Sequence, residues 1–165
     1  MSQESFDAVI VGAGFGGIYQ LKRLRDDLKL KCLVIDQAGG PGGTWFWNLY
    51  PGAMSDTESY VYRFSWDKED LQEYPWPEHY VKQPEVLAYL NHTVDKHDLR
   101  KDMRFNTAMK GAKWNDSTGR WEIETQEGDY GGEKTISARY LITSLGLLSK
   151  QNYPDIPGIH DFRGD

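Results

Sequence analysis

A chain of 165 residues suits one domain, and at this length about 70% of the unfolded surface is buried, enough for a real core. Its net charge of −6 comes from 25 acidic and 19 basic residues interspersed along the chain, which argues against the basic footprint of a nucleic-acid binder. The single cysteine excludes a disulfide within the chain, and no apolar run is long enough to span a membrane. With no signal-peptide pattern at the N-terminus, the expectation is a soluble, cytoplasmic protein without a nucleic-acid or membrane partner.

The first predicted element is a strand. Ala8-Val9-Ile10-Val11 is an unbroken apolar run, the pattern of a parallel strand buried on both faces. It leads directly into Gly12-x-Gly14-x-x-Gly17. At this spacing the first glycine permits the turn, the second lets backbone approach a pyrophosphate, and the third lets the following helix pack on the strand. The N–H groups and dipole of that helix then face an anion. The motif alone is weak, because glycines also gather at turns for conformational reasons. Its context strengthens it: Ile18, Leu21, Leu24 and Leu28 recur at helical spacing, and a second apolar strand, Cys32–Ile35, ends on Asp36. That carboxylate falls about 20 residues past the glycines, where a βαβ dinucleotide fold places its acceptor for ribose hydroxyls. Cys32 reads as a small buried hydrophobe in preference to a reactive thiol.

After Asp36 comes a glycine-dense loop, Gln37 to Trp45, whose backbone can pass close to a flat or charged ligand. From Trp45 to Trp76 aromatic residues dominate with neither helical nor strand period, which predicts packed loop and short turns. Most of these rings read as core, those nearest the glycines excepted. Gln83-Pro84 opens a helix with proline at the first helical position, and Val86, Leu87, Leu90 and Val94 form its buried stripe. His92 and His97 are five apart, off a common face, and read as surface or packing residues, not metal ligands. Strands are then predicted over Met103–Trp114, Trp121–Thr125 and Thr135–Ala138, an antiparallel meander beside the parallel sheet. A further apolar strand, Tyr140–Gly146, returns to the parallel sheet, and Lys150–Gly158 with its two prolines reads as an exit linker.

Four stretches together resemble the flavin-dependent Baeyer-Villiger monooxygenases, most of all the cyclohexanone monooxygenase group. They are Gly12-Ala-Gly-Phe-Gly-Gly17, Gly42-Gly-Thr-Trp-Phe-Trp47, Tyr50-Pro-Gly-Ala-Met-Ser-Asp-Thr-Glu-Ser59 and Leu141-Ile-Thr-Ser-Leu-Gly-Leu-Leu-Ser149. The resemblance implies an α/β, Rossmann-like FAD-binding domain of the glutathione-reductase kind, a parallel sheet with helices plus an antiparallel meander, truncated. Residues 1–150 would be its N-terminal segment, and 151–165 a linker toward an NADP-binding domain that the chain lacks.

The resemblance also implies roles. Gly12, Gly14, Phe15 and Gly17 would hold the pyrophosphate of FAD and Asp36 its adenosine ribose. Gly43, Thr44, Trp45 and Trp47 would take the middle and flavin end. Tyr62 would lie by the flavin, and Met109 would meet the adenine through its backbone. Met54, Ser55 and Asp56 match the segment touching the nicotinamide side of NADP. The reaction implied uses NADPH and O2, and inserts one oxygen atom into a cyclic ketone through a C4a-peroxyflavin, giving a lactone or ester. A bare carboxylate near a developing anion repels it, so Asp56 would act by orienting an arginine from a later segment; the alternative is that it caps a turn beside Pro51-Gly52.

Phe162-Arg-Gly-Asp165 resembles the opening of the family fingerprint F-x-G-x-x-x-H-x-x-x-W, whose histidine and tryptophan lie beyond the chain. The expectation is therefore an N-terminal piece of a longer enzyme, inactive alone, whose partners are the rest of that enzyme, a small ketone and O2. Three other readings stay open: a flavin N- or S-oxygenase of the sister family, an isolated non-catalytic FAD-binding module, and an NAD-dependent dehydrogenase. The last would leave the GGTW loop unexplained.

Overall fold

A computed structural model describes residues 4–150 and 152–164, so Gln151 and Asp165 of the predicted exit segment and fingerprint lie outside the described residues. The predicted first strand is β1 (Ser5–Val11), and β2 (Cys32–Ile35) follows it. They pair in parallel, Ala8 opposite Cys32 and Val11 opposite Ile35. Every residue from Ala8 to Val11 and from Cys32 to Ile35 is buried, because both faces of the pair are covered.

The two faces have different covers. Ala8, Ile10 and Val34 point toward α1 (Phe15–Lys22) and α4 (Gln83–Lys96), packing with Ile18, Leu21, Val86, Tyr89, Leu90 and Val94. Their neighbours Val9, Val11, Leu33 and Ile35 point the other way, onto Ile123, Ile136 and Ala138. Those three residues belong to the meander of β4 (Thr107–Asn115), β5 (Arg120–Glu127) and β6 (Glu133–Thr143). Two-residue alternation thus builds three layers: helices, parallel strands and meander.

β6 joins the layers. Its first half pairs antiparallel with β5, and its second half pairs parallel with β1, Ala8 opposite Tyr140 and Val11 opposite Thr143. The two strands predicted over Thr135–Ala138 and Tyr140–Gly146 are therefore one. Conversely, the strand predicted over Met103–Trp114 is two: β3 (Met103–Arg104) adds in parallel to β2, and β4 starts anew after Asn106, whose φ of +50° turns the chain. The six strands form one sheet in the order β3-β2-β1-β6-β5-β4.

Three further expectations are corrected. The first helix becomes a π-turn over Arg23–Asp27, closed by the Leu28 N–H on the Arg23 carbonyl at 3.3 Å, with Lys29 left-handed beyond it. The wider turn shifts the stripe out of register, and Leu28 is 62% exposed. In α4, capped by Lys82, Pro84 occupies the second helical position, where its missing N–H is equally harmless. The stripe of α4 also includes Tyr89, whose hydroxyl accepts the Phe64 N–H at 2.8 Å, while Leu87 is only half-buried.

The aromatic segment is mostly loop, as expected, with single-turn helices α2 (Thr44–Trp47) and α3 (Asp70–Glu73). His92 and His97 hydrogen-bond Asp70 and Asp67, 3.0 and 2.9 Å away, as packing residues of the α3–α4 junction. Cys32 is buried, and burial pushes its thiol up to about 11, which leaves it inert at neutral pH. Among the described residues no helix is long and apolar enough to cross a membrane.

Candidate functional site

The end of β1 dictates the site. A Cβ on Gly17 would stand 1.8 Å from the Gly12 carbonyl oxygen, so α1 can sit this close to the strand only with glycine there. Gly14 caps α1 in an extended conformation, and its carbonyl accepts the first helical bond, from the Ile18 N–H at 3.0 Å. The N–H groups of Phe15, Gly16 and Gly17 precede that bond, as free donors of a helix start must.

A second glycine turn closes on the first. The Gly42 N–H donates to the Ala13 carbonyl at 3.0 Å. Gly43, at φ +55°, lies so near Gly14 that a Cβ on it would be 2.9 Å from the Gly14 Cα. Two backbones thus meet without side chains between them, beside the first-turn donors of α1. This is the cradle a diphosphate needs, and the residues present fit a dinucleotide cofactor.

Beyond Gly43 the chain turns into α2. Thr44 begins it, Trp45 is buried and Trp47 is exposed. The indole Nε1–H of Trp45 donates to the Tyr62 hydroxyl at 3.1 Å, and the Tyr62 ring lies 4.8 Å from that of Phe15. Phe15, Tyr62 and Trp45 form one aromatic wall from the first glycine motif to the second. Gln83, at the start of α4, donates its side-chain N–H to the Trp45 carbonyl.

Asp36 is 9% exposed, and its two carboxylate oxygens accept the Ala13 and Ala38 N–H groups at 2.7 and 2.8 Å. A carboxylate offers about four lone-pair sites, so two remain for ribose hydroxyls. The Asp36 carbonyl accepts the Thr107 N–H at 2.8 Å, and that of Ala38 the Asn106 N–H at 2.9 Å, which brings the start of β4 against this turn. Met109, two residues on, pairs with Thr125 just before the ladder slips, and its side chain packs on the meander core. Nearby, Gln37, Trp47, Asn106, Lys110 and Gln126 line a cleft of about 320 Å³.

The Met54–Asp56 segment is held by a short antiparallel ladder. The Ser55 N–H donates to the Val81 carbonyl at 2.9 Å and the Gln83 N–H to that of Ala53 at 2.8 Å, with Met54 opposite Lys82. Met54 is exposed and Ser55 buried. The Ser55 hydroxyl, not Asp56, closes the turn, accepting the Thr57 N–H at 3.1 Å. Asp56 itself is exposed.

The structure brings Gly12, Gly14 and Gly17 against Gly43, ties Asp36 to Ala13 and joins Phe15 to Tyr62 and Trp45, whereas Met109 lies within β4 and Met54–Asp56 reach Trp45 through Gln83. The bonds that Ala13, Gln83 and Asn106 make, and the Ser144 carbonyl that would stand 2.4 Å from a Cβ on Gly12, are not legible from the motifs that contain or flank them. Only the left-handed Asn106 carried a local hint, as asparagine tolerates that conformation.

The model of the family described as flavin-binding monooxygenase-like matches residues 7–165. The chain belongs to this family. A Baeyer-Villiger monooxygenase of Pseudooceanicola batsensis is 50% identical over 159 residues, 96% of this chain and 28% of that protein. A phenazine N-monooxygenase of Lysobacter antibioticus is 46% identical over 159 residues, again 96% of this chain and 28% of the relative. Among solved structures, cyclohexanone monooxygenase from Rhodococcus sp. Phi1 bound to NADP+ superposes with a TM-score of 0.90 at 46% identity, covering 99% of this chain and 30% of that one. The Rossmann-like FAD-binding architecture of this flavin-binding family is thus the fold observed here. The chain spans less than a third of each of these proteins.

Proposed function

We propose that this chain is the FAD-binding portion of an NADPH-dependent Baeyer-Villiger monooxygenase that uses O2 to convert a cyclic ketone to a lactone or ester. The observation that carries this reading is the contact of the two glycine turns at Gly14 and Gly43, with Asp36 bonded to the Ala13 N–H next to it and the Phe15–Tyr62–Trp45 rings linking the one turn to the other. Residues 1–150 form the cofactor portion and 151–165 lead toward an NADP-binding domain, in a cytoplasmic enzyme.

When bound, FAD supplies the two-electron carrier between NADPH and O2. Everything else falls to side chains and backbone. The first-turn N–H groups of α1 and the backbones of Gly12, Gly14 and Gly43 bind the diphosphate. Asp36 orients the ribose, and the β4 backbone at Met109 meets the adenine. Thr44, Trp45, Trp47 and Tyr62 shape the flavin end and exclude water. Met54, Ser55 and Asp56 face the nicotinamide side. Two like charges about 4 Å apart repel by roughly 4 kcal/mol at an effective dielectric of 20, so Asp56 cannot stabilise a developing anion directly. Its carboxylate instead orients an arginine supplied by the remainder of the enzyme.

Flavin uptake tests the binding claim: the purified chain mixed with FAD should retain a yellow chromophore through gel filtration, and a colourless product under all conditions would defeat the reading. A second reading, oxygenation at a ring nitrogen such as that of a phenazine, is favoured by the 46% identity to the phenazine enzyme. Offering the longer enzyme a cyclic ketone and a phenazine separates the two reactions.

A further inference from the structure

We infer that Gln83 is a positioning residue that couples the flavin end of the cofactor site to the loop of Met54–Asp56. The inference rests on the flavin reading above. Gln83 is 6% exposed, although it opens a helix beside a loop, where a polar side chain would ordinarily reach solvent. Its two donors serve two different loops. The backbone N–H holds Ala53 at 2.8 Å, and the side-chain amide reaches the Trp45 carbonyl.

Neither partner has an easy substitute. The single turn of α2 ends with the Asn48 N–H on the Thr44 carbonyl at 3.1 Å, so the next carbonyl, that of Trp45, is left for a side chain. The Trp45 indole is meanwhile tethered to Tyr62 on the aromatic wall. A shift of Trp45 as a ring system settles against this wall therefore passes through the Gln83 amide to Ala53, and along the ladder to Ser55. The Gln83 N–H bond to Ala53 belongs to the main chain and is kept in any variant but proline, so replacing the amide cuts the link without dismantling the ladder.

Amide hydrogen exchange with and without FAD tests this on the 165-residue chain. In the native protein, FAD well above its Kd should slow exchange in both glycine turns and across residues 53–59, by about tenfold or more. In Gln83→Met, which keeps length and apolar bulk but loses the donor, the glycine turns should keep that protection while the effect at 53–59 falls below about twofold. A purely structural role would change exchange equally with and without FAD.

Unchanged FAD protection at 53–59 in the variant overturns the coupling, as does its absence there in the native protein while the turns are protected. If FAD protects neither turn in the native protein, the flavin reading itself fails and takes the coupling with it. Exchange in β1 and β6 reports folding. Should Gln83→Met lose protection there, Gln83→Leu, which also lacks the donor, replaces it, and collapse of both would make Gln83 a folding determinant and overturn the proposal.

Discussion

Gly14 and Gly43 touch backbone to backbone across 29 residues of chain: a Cβ on Gly43 would stand 2.9 Å from the Gly14 Cα, and Gly43 already sits at φ +55°. Gly43→Ala therefore meets both a clash with main chain and a left-handed backbone, at a cost of about 1–3 kcal/mol. We expect the variant to fold with a lowered urea midpoint and to bind FAD at least about tenfold more weakly in an absorbance titration. Gly119→Ala, left-handed but with open space around its Cβ, is the control: it should cost about 1 kcal/mol and leave FAD binding alone.

Asp36 holds two main-chain N–H groups with separate oxygens. Asn offers a single oxygen, so Asp36→Asn sets an NH2 group against one of those donors. The expected loss is about 1–3 kcal/mol in denaturant unfolding. FAD affinity should fall further than stability explains, because the ribose acceptor is lost too.

Acid should loosen the junction of α3 and α4. Burial by itself pushes the Asp67 carboxyl up, but the Asp70 N–H, the Lys96 ammonium and the His97 ring outweigh it and hold the group at about 2, below its ordinary 3.8. The unfolded chain then binds more protons than the folded one between these values. Asp67 thus contributes stability above pH 4, roughly 2 kcal/mol, which is lost as pH falls through 4 toward 2. Acid unfolding followed by circular dichroism should lose that part of its slope in Asp67→Asn.

Tyr62→Phe keeps the ring beside Phe15 and removes the acceptor of the Trp45 indole. A destabilisation of about 0.5–1.5 kcal/mol is expected. The visible spectrum of bound FAD should shift as well, if the ring system lies against this wall.

Asp56 is exposed and outside the turn-closing bonds. Asp56→Ala should leave stability within about 0.5 kcal/mol. In the longer enzyme it should lower ketone oxidation while NADPH consumption continues, read as hydrogen peroxide formed per NADPH.

What could be read along the chain was whatever repeats locally. The apolar runs of β1 and β2, the glycine spacing and the carboxylate after β2 all depend on neighbours within a few residues, and each stands where its pattern put it; of the α4 stripe Val86, Leu90 and Val94 are buried, while Leu87 is half-buried and Tyr89 takes its share of the core. Tertiary structure alone decided which distant segments meet. Nothing local announces that the Gln83 amide reaches Trp45, that Ser144 crowds Gly12, or that β6 runs unbroken from meander to parallel sheet, because contacts across tens of residues have no period. Leu28 shows the converse: its helical spacing was sound, yet one wide turn after Lys22 changed the register, and the side chain that fitted the pattern faces water.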